Sequence, residues 1–102
     1  MKKLFISQPM RGKTEEEILA VRKAAIAVTE QFLGEPVETI DSFLHKTPEV
    51  SNTALWCLGR SLELMADADI VYFAEGWQAY RGCQIEHRCA ELYGIDMIYG
   101  KM

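Results

Sequence analysis

Between Ala68 and Tyr99 the chain reads A-D-I-V-Y-F-A-E-G-W-Q-A-Y-R-G-C-Q-I-E-H-R-C-A-E-L-Y-G-I-D-M-I-Y, and no other stretch constrains the fold as tightly. Ile70 to Ala74 is a short apolar run bounded by Asp69 and by Glu75-Gly76, which suits a strand buried on both faces. After Gly82 the apolar residues Ile85, Cys89 and Leu92 recur at intervals of four and three, predicting a helix that ends at Gly94. A second apolar strand, Ile95 to Tyr99, follows. Strand, loop, helix and strand within about thirty residues form a βαβ unit, and ligands of such sheets bind beyond the carboxyl ends of the strands. The loop Glu75 to Arg81 is therefore expected to line a site.

Gly82 and Glu86 make a G-x-x-x-E at the head of this helix, placing a carboxylate about one turn in. The positive end of the helix dipole favours an ionised carboxylate there, by roughly 0.3–1 kcal/mol. Such a group suits a nucleophile or an anchor for ligand hydroxyls. A surface glutamate that merely favours a helix start has the same spacing.

The first strand, Lys2 to Ser7, leads into the loop Gln8-Pro9-Met10-Arg11-Gly12 and then into Lys13-Thr14-Glu15-Glu16-Glu17. Thr14 with Glu17 is a capping box, and three acids in the first turn complement the dipole, so a helix begins at Thr14. Ile18, Val21, Ala25, Val28 and Phe32 draw its amphipathic stripe, which ends near Gly34. The loop Ser7 to Gly12 lies at the carboxyl end of a strand, where Arg11 can hold a phosphate or carboxylate through two hydrogen bonds. Pro9 and Gly12 as plain turn residues, with Arg11 solvated, fit the same sequence. The loop does not match a Walker-type phosphate motif.

Glu35-Pro36 to Ser42 predicts a second strand whose mixed alternation suits a sheet edge. Phe43 to Ser51 is a loop over the same cleft, with His45 as a candidate contact or an ordinary surface histidine. Ser51 or Asn52 caps a third helical segment, in which Leu55, Leu58, Leu62 and Met65 recur by three and four. Trp56 falls off that stripe and is a candidate for a subunit interface.

Charge and cysteine content narrow the function classes. A net charge of −4, with 49% hydrophobic and 25% charged residues, describes a globular chain without a general affinity for nucleic-acid polymers. No apolar run approaches ~20 residues, and Met1-Lys2-Lys3 leads directly into a strand, so no membrane association and a cytoplasmic location are expected. Cys57, Cys83 and Cys89 are odd in number and lie on predicted helices, which argues against paired disulfides. Cys83 and His87 share a helical face, but Cys89 lies well round from it, so no metal centre is expected and His87 reads as solvent-facing.

Four strands alternating with three helices in a chain of 102 residues predict a single α/β domain over 1–102. The right-handed crossover rule makes it a three-layer sandwich on a parallel sheet. The expected strand order is 2-1-3-4, a small flavodoxin-like, Rossmann-like arrangement. Its topological switch lies between strands one and three, where the loop Ser7–Gly12 meets the loop Glu75–Arg81 and Glu86 and Arg11 can face one ligand.

Three segments carry a family likeness: F-I-S-Q-P-M-R-G, A-D-I-V-Y-F-A-E-G-W and R-G-C-Q-I-E-H-R-C-A-E-L-Y-G-I. Together they resemble the nucleoside 2-deoxyribosyltransferase-like superfamily over nearly the whole chain, in particular a small uncharacterised branch common in bacteriophages and bacteria. The resemblance implies cleavage or exchange of the N-glycosidic bond of a deoxynucleoside or deoxynucleotide, with Glu86 as the nucleophile attacking C1′ and no cofactor. Asp69, which opens the third strand, is grouped with Glu86 as a catalytic candidate. The implied substrate-binding residues are Ser7, Gln8, Pro9, Met10, Arg11 and Gly12 in the first loop, with Glu75, Gly76, Trp77, Arg81 and Gly82 in the later one.

Relatives place an aspartate that assists the leaving base eight residues before Asp69, where this chain has Ser61. A serine cannot donate a carboxylic proton; Asp67 or Glu75 is the candidate substitute. A nucleotide-binding module without turnover is the alternative. Arg11 and Arg81 favour a phosphorylated ligand, because guanidinium matches phosphate geometry. Trp77 and Tyr80 are candidates to stack on a base or sugar. The resemblance also implies a homo-oligomer, a dimer or larger.

Overall fold

The computed structural model describes residues 1–42 and 47–100. Strand β1 (Lys2–Ser7) is followed by helix α1 (Glu15–Leu33), β2 (Val37–Thr39), α2 (Thr53–Met65), β3 (Ile70–Phe73), α3 (Arg81–Leu92) and β4 (Asp96–Tyr99). The four strands form one all-parallel sheet in the order β2-β1-β3-β4, as the alternation predicted. In the central pair Leu4 lies beside Ile70 and Ser7 beside Phe73, so β1 and β3 end level with each other.

Strand alternation divides the core between two faces. Leu4, Ile6, Ile70 and Tyr72 face α1, where they meet Ala25. Phe5, Val71 and Phe73 face α2 and α3, where they meet Met65 and Ala90. Leu4, Phe5, Ile6, Val71 and Phe73 are essentially solvent-free, and burying each such side chain stabilises the fold by roughly 1.5–3 kcal/mol. Helices on both faces make the three-layer, Rossmann-like sandwich.

The helix starts follow their predicted chemistry. Thr14 caps α1 in a complete capping box with Glu17, and Gly34, in the left-handed region at φ 73°, closes it. Asn52 caps α2 by accepting from the Leu55 amide at 3.0 Å. Helix α3 begins at Arg81, before Gly82, with Tyr80 at its cap position and no side-chain cap.

The predicted apolar stripes are rotated from the buried faces. In α1 the buried residues are Ile18, Arg22, Ala25 and Thr29, while Val28 and Phe32 are exposed. Arg22 and Thr29 are tolerated inside because their polar ends are matched. The Arg22 guanidinium donates to Ser42 Oγ at 3.1 Å and to the Ile40 carbonyl at 3.2 Å, and Thr29 Oγ1 donates to the Ala25 carbonyl at 2.7 Å. In α3 the buried positions are Cys83, Glu86 and Ala90, not Ile85 and Leu92, which are exposed. In α2 only Met65 of the stripe is fully buried, Leu55 is exposed, and Trp56 is half-buried. Strand β2 is shorter than predicted, three residues at the sheet edge. Among the described residues no helix is long and apolar enough to cross a membrane.

Candidate functional site

Ser7 ends β1 with its side chain on the α3 face of the sheet, and Glu86 lies in the second turn of α3 opposite it. Ser7 Oγ donates to Glu86 Oε1 at 2.6 Å, and the two side chains are 2% and 7% exposed. Burial disfavours the carboxylate and pushes the Glu86 carboxyl up to about 7, while the Ser7 hydrogen bond pulls the other way. This corrects the expectation of an ionised group held by the helix dipole. Glu86 is beyond the first turn, where that field acts, and desolvation dominates.

Cys83 sits one turn before Glu86 on the same buried face. Burial pushes its thiol up to about 11; Ser7 lowers it and the Glu86 charge raises it further. Cys83 is therefore a protonated, inert thiol at neutral pH. Ser7, expected to touch substrate directly, is instead turned to the Glu86 carboxyl.

Arg11, Arg81 and Gly82 come together in a cavity of about 790 Å³ with Asn52, Tyr80 and Ile85. Helix α3 contributes Arg81, Gly82 and Ile85 to its wall, while Cys83 and Glu86 lie on the buried face of the same helix. The two arginines thus share one concave surface, at the carboxyl end of the sheet where the topological switch was predicted. Tyr80 lines this cavity, whereas Trp77 does not.

Trp77 belongs to an aromatic cluster below the loop. Its ring stacks on His87 with centroids 4.2 Å apart and leans on Phe73 at 5.4 Å. His87 Nε2 lies 2.6 Å from the Tyr99 hydroxyl. His87 is half-buried, which corrects the solvent-facing reading; the cluster draws it in by edge-to-face and stacking contacts. Trp77 serves as packing rather than as an open stacking platform. Gly76, at φ 87°, supplies the left-handed turn that starts the 3-10 segment Trp77–Ala79.

The remaining first-loop residues separate. Met10 closes a turn, its carbonyl accepting from the Lys13 amide at 3.0 Å, and Gly12 takes φ 78°. Gln8, Pro9 and Glu75 line a different cavity, of about 520 Å³, together with Tyr72, Ala74 and Ile18 on the α1 face. Tyr72 has its phenol raised by burial and by the nearby Glu75 charge. Tyr72 carried no sequence signal beyond strand alternation.

Asp69 is not brought to this region. Its carboxylate accepts from the Lys3 amide at 2.8 Å, at the amino end of the sheet. Four residue steps separate Lys3 from Ser7, roughly 13 Å along β1. Asp67 stands at the same far edge, paired with Lys3 Nζ at 2.6 Å. Neither aspartate reaches Glu86, because both precede β3 while the site follows it. His45 lies outside the described residues. Among those described, no group of three or more His, Cys, Asp or Glu side chains is arranged to hold a metal ion.

No curated protein and no solved structure matches the chain. A family model described as a domain of unknown function, DUF4406, matches residues 2–99. With almost its whole length matched, from β1 to β4, the chain belongs to the DUF4406 family.

Proposed function

We propose that the protein cleaves or transfers the N-glycosidic bond of a deoxynucleotide through Glu86, the chemistry implied by the resemblance to nucleoside 2-deoxyribosyltransferase-like enzymes. The observation that supports this reading is the buried Glu86 carboxyl, held by Ser7 at the end of β1, on the helix whose first residue, Arg81, shares a cavity with Arg11. A phosphate between two guanidiniums would set the sugar against α3. An ionised Glu86 oxygen then bonds to C1′ as the C1′–N bond breaks, through an oxocarbenium-like transition state. The leaving base takes its proton from water in the cavity. Water or a second base resolves the glycosyl ester and restores the carboxylate.

Only the deprotonated carboxyl is a nucleophile, so a group pushed up to about 7 makes the reaction rise with pH through neutrality. Ser7 acts by orienting this carboxyl. One observation favours the second reading, a nucleotide-binding module without turnover. Ser61 stands where relatives carry an acid, and Asp67 and Asp69 lie at the opposite edge of the sheet. A homo-oligomer accompanies either reading, with the half-buried Trp56 on α2 as the candidate contact.

The test is incubation of wild type and Glu86→Ala with deoxynucleoside monophosphates and deoxynucleosides, following free base by chromatography. Release by the wild type alone supports the enzyme and names its base. No release from either, with a nucleotide-induced rise in Tm that Arg11→Ala abolishes, leaves the binding module.

A further inference from the structure

Ser7, Cys83 and Glu86 are all buried, and they meet where the end of β1 packs against α3. Polar groups shut away from water must satisfy one another. A hydroxyl carries one proton and two lone pairs. Ser7 Oγ gives its proton to Glu86 Oε1 at 2.6 Å, which leaves the lone pairs of the same oxygen in want of a donor. The Cys83 side chain, one turn before Glu86 on the buried face of α3, is hydrogen-bonded to Ser7.

Proton count sets the direction of that second bond. Burial pushes the Cys83 thiol up to about 11, so at neutral pH the sulfur has an S–H to give. The Ser7 proton is already committed to the carboxyl, a stronger acceptor than sulfur. Cys83 is therefore the donor and Ser7 Oγ the acceptor. Among the described residues no charged side chain supports or opposes the Glu86 carboxyl: burial raises it and Ser7 lowers it.

We propose that Cys83 is a positioning residue for Glu86, its thiol donating to Ser7 Oγ so that thiol, hydroxyl and carboxyl form one directed chain. Donors in series polarise one another, so the outer bond strengthens the inner one, most of all when the carboxyl is ionised. The same chain fixes the hydroxyl rotor and so holds the carboxyl from the β1 side. Where turnover is concerned the proposal rests on Glu86 being the nucleophile, and Cys83 then governs the fraction of the protein that carries the reactive, ionised form.

The test is an NMR titration of the Glu86 carboxyl carbon in ¹³C-glutamate-labelled protein, with the infrared S–H stretch of Cys83 isolated by difference from the matching Cys83→Ala protein. Cys83→Ala should raise the Glu86 midpoint by about half a pH unit, a roughly threefold loss of carboxylate at a fixed pH below it, the effect of one weak hydrogen bond. Cys83→Ser keeps a donor in the same place and should restore the wild-type midpoint or lower it. Ser7→Ala should raise the midpoint further and make it indifferent to a second change at Cys83. The wild-type S–H band should move to lower frequency as pH rises through the Glu86 midpoint, and stand still in Glu86→Gln and in Ser7→Ala. None of these readouts needs turnover, so an absence of base release would sink the glycosidase reading and leave the chain standing. A midpoint unmoved in Cys83→Ala, a Cys83→Ser protein that behaves like Cys83→Ala, or an S–H band indifferent to Glu86 would each overturn the proposal.

Discussion

Replacing Glu86 by glutamine should stabilise the protein, and by an amount that depends on pH. The carboxyl is pushed up to about 7 in the folded chain, against an ordinary value of 4.5. Between these values the folded state holds a proton that the unfolded chain has released, so unfolding stability falls as pH rises across this window. Below pH 4.5 the group is neutral in both states and costs nothing. Above 7 the full penalty applies, about 3 kcal/mol at roughly 1.4 kcal/mol per pH unit. Glutamine keeps the shape and still accepts from Ser7 Oγ, but carries no charge to desolvate. Glu86→Gln should therefore exceed the wild type by about 3 kcal/mol at pH 8 and by less than about 1 kcal/mol at pH 5. For a chain of this size that is a Tm difference on the order of 10 °C at the higher pH. Urea or thermal unfolding across pH 5 to 8 measures it. A difference that does not change with pH, or a variant less stable throughout, would refute the assignment of Glu86 as a desolvated carboxyl.

Two further outcomes follow from packing and burial. A Cβ added at Gly100 would stand 2.5 Å from the Tyr72 hydroxyl and 3.3 Å from the Glu75 amide. Gly100→Ala should therefore cost about 1–3 kcal/mol in chemical denaturation, and restoration by Tyr72→Phe would identify the hydroxyl as the obstacle. Cys83 is buried with its thiol pushed up to about 11, whereas Cys57 and Cys89 are half-buried. A thiol-specific reagent at pH 8, with mass mapping, should modify Cys57 and Cys89 before Cys83; earlier labelling of Cys83 would contradict its burial.

The element order and strand order were legible because runs such as Ile70–Phe73 and the Thr14–Glu17 box encode strand and helix start locally. What the periodicity hid was the polar part of the core. Counting apolar residues drew stripes through Val28, Phe32, Ile85 and Leu92, all exposed, and passed over Arg22, Thr29 and Glu86, all buried. Each of these three lies inside because a partner satisfies it: Ser42 and Ile40 for Arg22 and Ser7 for Glu86 lie outside the helix concerned, and Thr29 donates to the Ala25 carbonyl one turn earlier. The site was half readable for the same reason. Ser7 meets Glu86 and Arg11 shares a cavity with Arg81, as two separate pairs, and the loop read as one binding surface serves two faces of the sheet. Asp69 looked catalytic by its place in a motif, and only the sheet register assigns it to the amino edge.

That register makes the length of the first strand matter more than its composition. Side chains change faces with every residue, so one residue inserted early in β1 would carry Ser7 to the place of Gln8, facing Ile18, and bring Ile6 to Glu86. The Glu86 carboxyl would lose its hydroxyl donor and the opposite cavity its amide in a single event, while Leu4 and Phe5 would trade one apolar face for the other. A substitution among the hydrophobic residues of this strand acts where it stands, whereas a change in the strand's length rewires both faces at once.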